Sequence, residues 1–127
     1  MSDLQNLNHY EQTLLDGWED VYKKSQLNLW LLLSLREGDK HMAQIKAFIS
    51  EATHGVLSPD DKSMYRTLRR LAAADIITYA TRPAKGGPDH KVYSLTHEGT
   101  QILAHFLERN ITSVFYNPTI MQLIQKG

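Results

Sequence analysis

The residues with the most chemistry to offer are cations gathered in one stretch: Lys62, Arg66, Arg69, Arg70, Arg82, Lys85 and Lys91. Between Lys62 and Lys91 only Asp75 and Asp89 oppose them, so this segment carries +5 and the remainder −5 in a chain of zero formal net charge. Clustered Lys and Arg displace the counterions of a polyanion, and that release supplies most of the affinity for a phosphate backbone. Ser63 and Tyr65 place hydroxyls among the first of these cations, where they can bond phosphates or base edges. No catalytic constellation competes with this reading. The chain has no nucleophile elbow, no phosphate-binding glycine loop and no His-Glu-x-x-His, and its carboxylates scatter over predicted exposed faces. The absence of cysteine excludes disulfides and thiolate metal sites and fits a reducing cytoplasm. His90 and His97 flank a predicted strand with no carboxylate-histidine spacing and read as surface residues, while His9, His41, His54 and His105 share no pattern. Enzymatic turnover, a metal and a cofactor are therefore not expected.

Elements must hold those cations. At 127 residues, 42% hydrophobic and 22% charged, the chain has the composition of one folded domain. Its opening residues lack the basic and apolar regions of a signal peptide, and the apolar run from 27 to 35 is about half of what a membrane span needs. Leu7, Leu14, Trp18 and Val21 fall at helical spacings, which predicts an amphipathic helix over about 4–24. The apolar stretch of about 26–36 predicts a second, buried helix. Met42, Ile45, Ile49 and Ala52 predict a third over about 40–53, closed by His54-Gly55. Ser58 as N-cap, Pro59 at the first helical position and Asp60-Asp61 beyond it announce a fourth. On that helix Met64, Leu68 and Leu71 share one side, Lys62, Arg66, Arg69 and Arg70 the other, and Tyr65 the boundary.

The β-branched stretch 76–82, the turn-forming "PAKGGPDH" and a second strand at 91–95 predict a hairpin with a long basic tip. Thr96 then caps a further helix whose apolar face runs through Ile102, Leu103, Phe106, Leu107 and Ile111. Asn117-Pro118 either breaks this helix or opens a short last one. A basic helix seated on two others, followed by a basic hairpin, is a winged helix-turn-helix: mainly α, with a small β-hairpin and additional N- and C-terminal helices.

"SMYRTLRRLAAADIITY" followed by "GGPDHKVYSLTHEGTQIL" resembles the PadR family of bacterial transcriptional regulators. Ser63, Tyr65, Leu68, Arg70, Leu71, Ile77, Gly86, Gly87, Lys91, Tyr93, Leu95, Thr96, Glu98 and Gly99 match the family pattern in place. Gly38, His41 and Ile45 match a further segment, although Met42 and Ala43 replace its glycine and aromatic, and Asp75 replaces the glycine that closes the basic helix. The resemblance spans about 27–107. It implies a cytoplasmic, DNA-binding homodimer, with residues 1–25 packing at the dimer interface, 26–96 forming the DNA-binding core and 97–127 completing dimerisation. It further implies a repressor that reads a pseudo-palindromic operator and is released by a small aromatic or lipophilic effector.

The residues expected to meet DNA are Lys62, Ser63, Tyr65, Arg66, Arg69, Arg70, Arg82, Lys85 and Lys91. For Arg69 and Arg70 the competing role is an ion pair with a neighbouring helix, and for Tyr65 it is packing. Trp18 and Trp30 are the candidate effector contacts, with core packing as their competing role. The alternative reading of the whole is a winged-helix interaction module whose basic face binds an acidic protein partner.

Overall fold

The computed structural model describes residues 4–126, which divide into two compact units. The larger runs from Ser25 to Leu103; the other takes the residues up to Lys24 and those from Ala104 onward. No helix among the described residues is long and apolar enough to cross a membrane.

The first helix, α1, is His9–Glu37. It is one helix where the sequence predicts two, because Lys24-Ser25-Gln26 contains neither glycine nor proline to interrupt it. It also starts later than the apolar spacing suggests. Asn8 and Glu11 form a reciprocal box: the Glu11 backbone N–H donates to Asn8 Oδ1 (2.8 Å), and the Asn8 N–H donates to Glu11 Oε1 (2.9 Å).

In the larger unit, β1 (Lys40–His41) leads directly into α2 (Met42–Ala52). His41 caps α2 through its own side chain. The helix ends through positive φ at His54 and Gly55, and the Gly55 N–H reaches back to the Ser50 carbonyl (2.7 Å). Next, α3 spans Asp61–Ala73, with Asp60 rather than Ser58 as its N-cap. Both residues are cap-competent, but a carboxylate is the stronger acceptor for the exposed N–H groups of a first turn.

A turn with Asp75 at φ 59° delivers the chain into β2 (Ile77–Arg82), which pairs antiparallel with β3 (His90–Leu95). The hairpin is as predicted, but the sheet has a third strand. β1 lies on the other edge of β3, with Lys40 opposite Tyr93 and His41 opposite Val92. Then α4 (His97–Leu107) begins.

Leu31, Leu32 and Leu35 of α1 bury with Ile45 and Ile49 of α2, Met64, Leu68 and Leu71 of α3, Ile77 and Tyr93 of the sheet, and Leu103 of α4. Each element thus gives its apolar stripe to one core, the dominant favourable contribution to folding. Lys40 ties the strand to the end of α1: its Nζ donates to the Ser34 and Gly38 carbonyls and pairs with Glu37.

In the smaller unit, α4 passes into a π-helical turn (Glu108–Thr112), a short α5 (Ser113–Phe115) and α6 (Pro118–Gln125). Asn117-Pro118 opens the last helix. The Asn117 side chain accepts from the Ile120 N–H (2.8 Å) with Pro118 in the first turn, which resolves the two alternatives left by the sequence.

Candidate nucleic-acid interface

The basic surface is built on α3. Asp60 Oδ1 accepts the Ser63 backbone N–H at 2.7 Å. That bond, a further one with the Ser63 side chain and the nearby Arg66 and Lys62 charges hold the Asp60 carboxyl below its ordinary value of 3.8. Lys46 of α2 forms an ion pair with Asp61, fastening the preceding helix to the first turn of α3. Met64, Thr67, Leu68 and Leu71 face inward, which leaves Lys62, Tyr65, Arg66, Arg69 and Arg70 exposed on the outer side. Ser63 is half-buried and engaged in the cap.

One cation is tethered. Arg70 Nη2 donates to Asn28 Oδ1 of α1 at 3.2 Å, an amide where an acid was the competing expectation. Among the described residues neither Arg69 nor Arg70 joins an ion pair.

The wing brings the second group. Arg82 ends β2, Lys85 lies in the connecting loop and Lys91 follows the first residue of β3; all three are exposed. Gly86 uses a positive φ of 77° to turn the tip, whereas Gly87 does not. Lys91 is positioned rather than trailing free: its ammonium lies 4.7 Å from the centroid of Tyr79, which in turn tilts against Tyr93 at 5.6 Å. Tyr93 is buried beneath the sheet, and Leu95 half-buried. Burial first, and then Tyr79 and Tyr65, push the Tyr93 phenol above its ordinary value of 10.0.

The start of α2, α3 and β3 enclose an open cavity of about 420 Å³ whose lining includes His41, Tyr65, Asp89, His90 and Lys91. There the imidazoles of His41 and His90 stack, with centroids 4.5 Å apart and ring planes at 16°. This pair is not legible in the sequence. Two residues of β1 carry too little pattern to announce a strand, and without that strand His41 has no reason to lie beside β3. No group of three or more His, Asp or Glu placed to hold a metal occurs among the described residues.

The two candidate effector residues differ in exposure. Trp18 of α1 is 73% exposed. Trp30 is half-buried at the margin of the core rather than within it, its indole N–H donating to Gln26 Oε1 at 3.0 Å.

An outward basic helix on a three-helix core, flanked by a three-stranded sheet with a cationic tip, defines a winged helix-turn-helix protein. The model of the transcriptional regulator PadR-like family matches residues 31–105, more than half of the chain, and the chain belongs to this family. Its members are transcriptional regulators and not enzymes. No curated protein matches the chain.

Solved structures do. A PadR-like transcription factor from Bacteroides fragilis is 25% identical, with a TM-score of 0.60 over 80% of this chain and 99% of that one. Bacillus subtilis PadR, solved in complex with operator DNA, is 27% identical at a TM-score of 0.59; the match covers 64% of this chain and 46% of that one. A PadR family regulator from Eggerthella lenta shares the fold at a TM-score of 0.67 and 20% identity, over 80% of this chain and 87% of that one.

Proposed function

We propose that the chain is a sequence-specific, double-stranded-DNA-binding repressor that acts in the cytoplasm as a homodimer. The observation that carries this reading is the division of α3 into a buried apolar side and an exposed side bearing Lys62, Tyr65, Arg66, Arg69 and Arg70, with Arg82, Lys85 and Lys91 on the adjoining wing. The major groove of B-DNA, about 12 Å wide, accepts such a helix, and a cationic hairpin beside it reaches the flanking backbone. The operator complex of the Bacillus subtilis protein supports the same use of the fold.

Dimerisation is supported by apolar exposure on α1, where Leu14, Trp18 and Val21 stand in solvent, and on α6, where Leu123 and Ile124 do. Surfaces of this kind mark association sites. Twofold symmetry would set two α3 helices about 34 Å apart and require a pseudo-palindromic operator. An aromatic or lipophilic effector seated at Trp18 or Trp30 would release DNA by binding the DNA-free arrangement better than the bound one. Retention of fragmented source-genome DNA on the purified protein, followed by sequencing, tests the reading. Wild-type protein should enrich a few fragments sharing an inverted repeat, and the Arg66→Ala/Arg69→Ala variant should not; enrichment of nothing by either protein would reject it.

A further inference from the structure

We propose that the stacked imidazoles of His41 and His90 form a proton-dependent seat for a backbone phosphate of duplex DNA, so that affinity rises as pH falls. This rests on the DNA-binding reading above and adds a site between the start of α2 and the wing.

The geometry begins with β1. His41 pairs across the ladder with Val92, which makes His90, two residues earlier on β3, its diagonal neighbour. The two rings meet face to face at 4.5 Å instead of diverging into solvent. The Gln44 N–H donates to His41 Nδ1 at 3.3 Å. With Nδ1 acting as acceptor, the ring hydrogen of neutral His41 is on Nε2, where it can be donated to an anion. Among the described residues no side-chain hydrogen bond engages the His90 imidazole, so its ring nitrogens are open to a ligand.

The charged surroundings favour an anion. Arg82 is the cross-strand partner of His90 on β2, and Tyr65 of α3 is among the residues that line the cavity, whereas Lys91, next along β3, carries its ammonium on the other face of the sheet, over Tyr79. Lys40 lies beside His41 on β1 but turns away to the end of α1. Asp89 is the one acid among the lining residues and offsets part of that charge. The cavity opens between the two elements that carry the exposed cations, α3 and the wing, so a strand crossing from one to the other passes over it. Arrival of a phosphate draws a proton onto His90, and the resulting bond is charge-assisted. Histidine is the side chain whose charge changes in this way between about pH 5 and 8.

Because phosphate contacts carry no sequence information, a labelled duplex of mixed sequence, roughly three helical turns long, is a sufficient probe. Its affinity is measured by fluorescence anisotropy at about pH 6 and about pH 8, at fixed ionic strength, for wild type, His90→Gln and His90→Lys. In the wild type the ratio of the two affinities should exceed that of His90→Gln by roughly three- to ten-fold, the range for an average uptake of about a quarter to a half of a proton over two pH units. His90→Lys, which fixes the charge, should show the same flattened ratio as His90→Gln while binding more tightly than it at the higher pH. Equal ratios in wild type and His90→Gln, with binding intact, overturn the histidine seat and leave the DNA-binding reading standing. No duplex binding by the wild type at either pH overturns both.

Discussion

Gly99 lies against the carbonyl of Ile76 so closely that a β-carbon at position 99 would overlap the oxygen and lie 2.9 Å from the carbonyl carbon. The contact fixes the start of α4 onto the turn between α3 and the wing. Thr96 closes the same junction: its backbone N–H donates to the Ile76 carbonyl (3.1 Å), its hydroxyl is shared between the Asp75 (2.6 Å) and Ile76 (3.0 Å) carbonyls, and its oxygen accepts the Gly99 N–H (2.9 Å). Gly99→Ala meets backbone, which cannot swing aside as a side chain can. It should cost about 1–3 kcal/mol, the usual range for overpacking. Thr96→Val keeps the shape but removes the hydroxyl, and should cost about 1–2 kcal/mol. Urea denaturation of both variants checks the pair; wild-type midpoints would refute the junction's role in stability.

This junction marks how far the sequence could be read. Thr96, Glu98 and Gly99 stand out in it as a cap and a family motif, and the alternation of apolar and cationic residues on α3 is legible because a helix repeats every 3.6 residues. Asp75 is a departure from that motif which the backbone absorbs: it adopts φ 59°, a region aspartate tolerates better than most residues. Contacts made by register rather than by local pattern were not legible. Asn28 meets Arg70 across 42 positions of sequence, and His41 meets His90 only because a two-residue strand pairs with β3. The extent of α1 was hidden for a different reason. An uninterrupted helix looks like two when its first part is polar on most sides and its second apolar on most.

Acid should loosen α3 from its N-terminus. The Asp60 carboxyl titrates below its ordinary value of 3.8 because the charged form accepts the Ser63 N–H. A depressed folded-state value contributes stability that is present above 3.8 and is lost as pH falls through the lower, folded value. Asp60→Asn retains a capping side chain without a titrating one, so its melting temperature should fall less steeply than that of wild type below about pH 4. Parallel acid limbs in thermal melts of the two proteins would contradict this.

Exposed cations on α3 should act through phosphates in a way that salt exposes. If Arg66 and Arg69 each neutralise one phosphate, replacing either by alanine weakens duplex binding and reduces the slope of log affinity against log salt by about 0.9. Arg70→Ala should differ, because its guanidinium is already engaged with Asn28 and its loss also loosens α3 from α1. The expected signature is a smaller change in salt slope accompanied by a lower melting temperature. Binding titrations across a salt series, paired with thermal melts, separate the two behaviours. Identical slopes for all three variants and wild type would remove α3 from the phosphate contacts.

Association should depend on the first helix. Leu14, Trp18 and Val21 follow one another at spacings of four and three residues, which places them along one side of α1, and their exposures are 56%, 73% and 68%. A row of large apolar groups in water is costly to leave uncovered, and aromatic anchors at the centre of an interface contribute most to its strength. A charge introduced at the middle residue should therefore be far more damaging than its effect on the isolated chain. Trp18→Glu should retain the helical circular dichroism of wild type, because the side chain takes no part in the core, while weakening the dimer at least about tenfold, corresponding to roughly 1.4 kcal/mol. Sedimentation equilibrium at micromolar concentration reads this directly. A Trp18→Glu protein that stays dimeric would move the interface off this side of α1, and a wild-type protein that sediments only as a monomer would remove the dimer altogether.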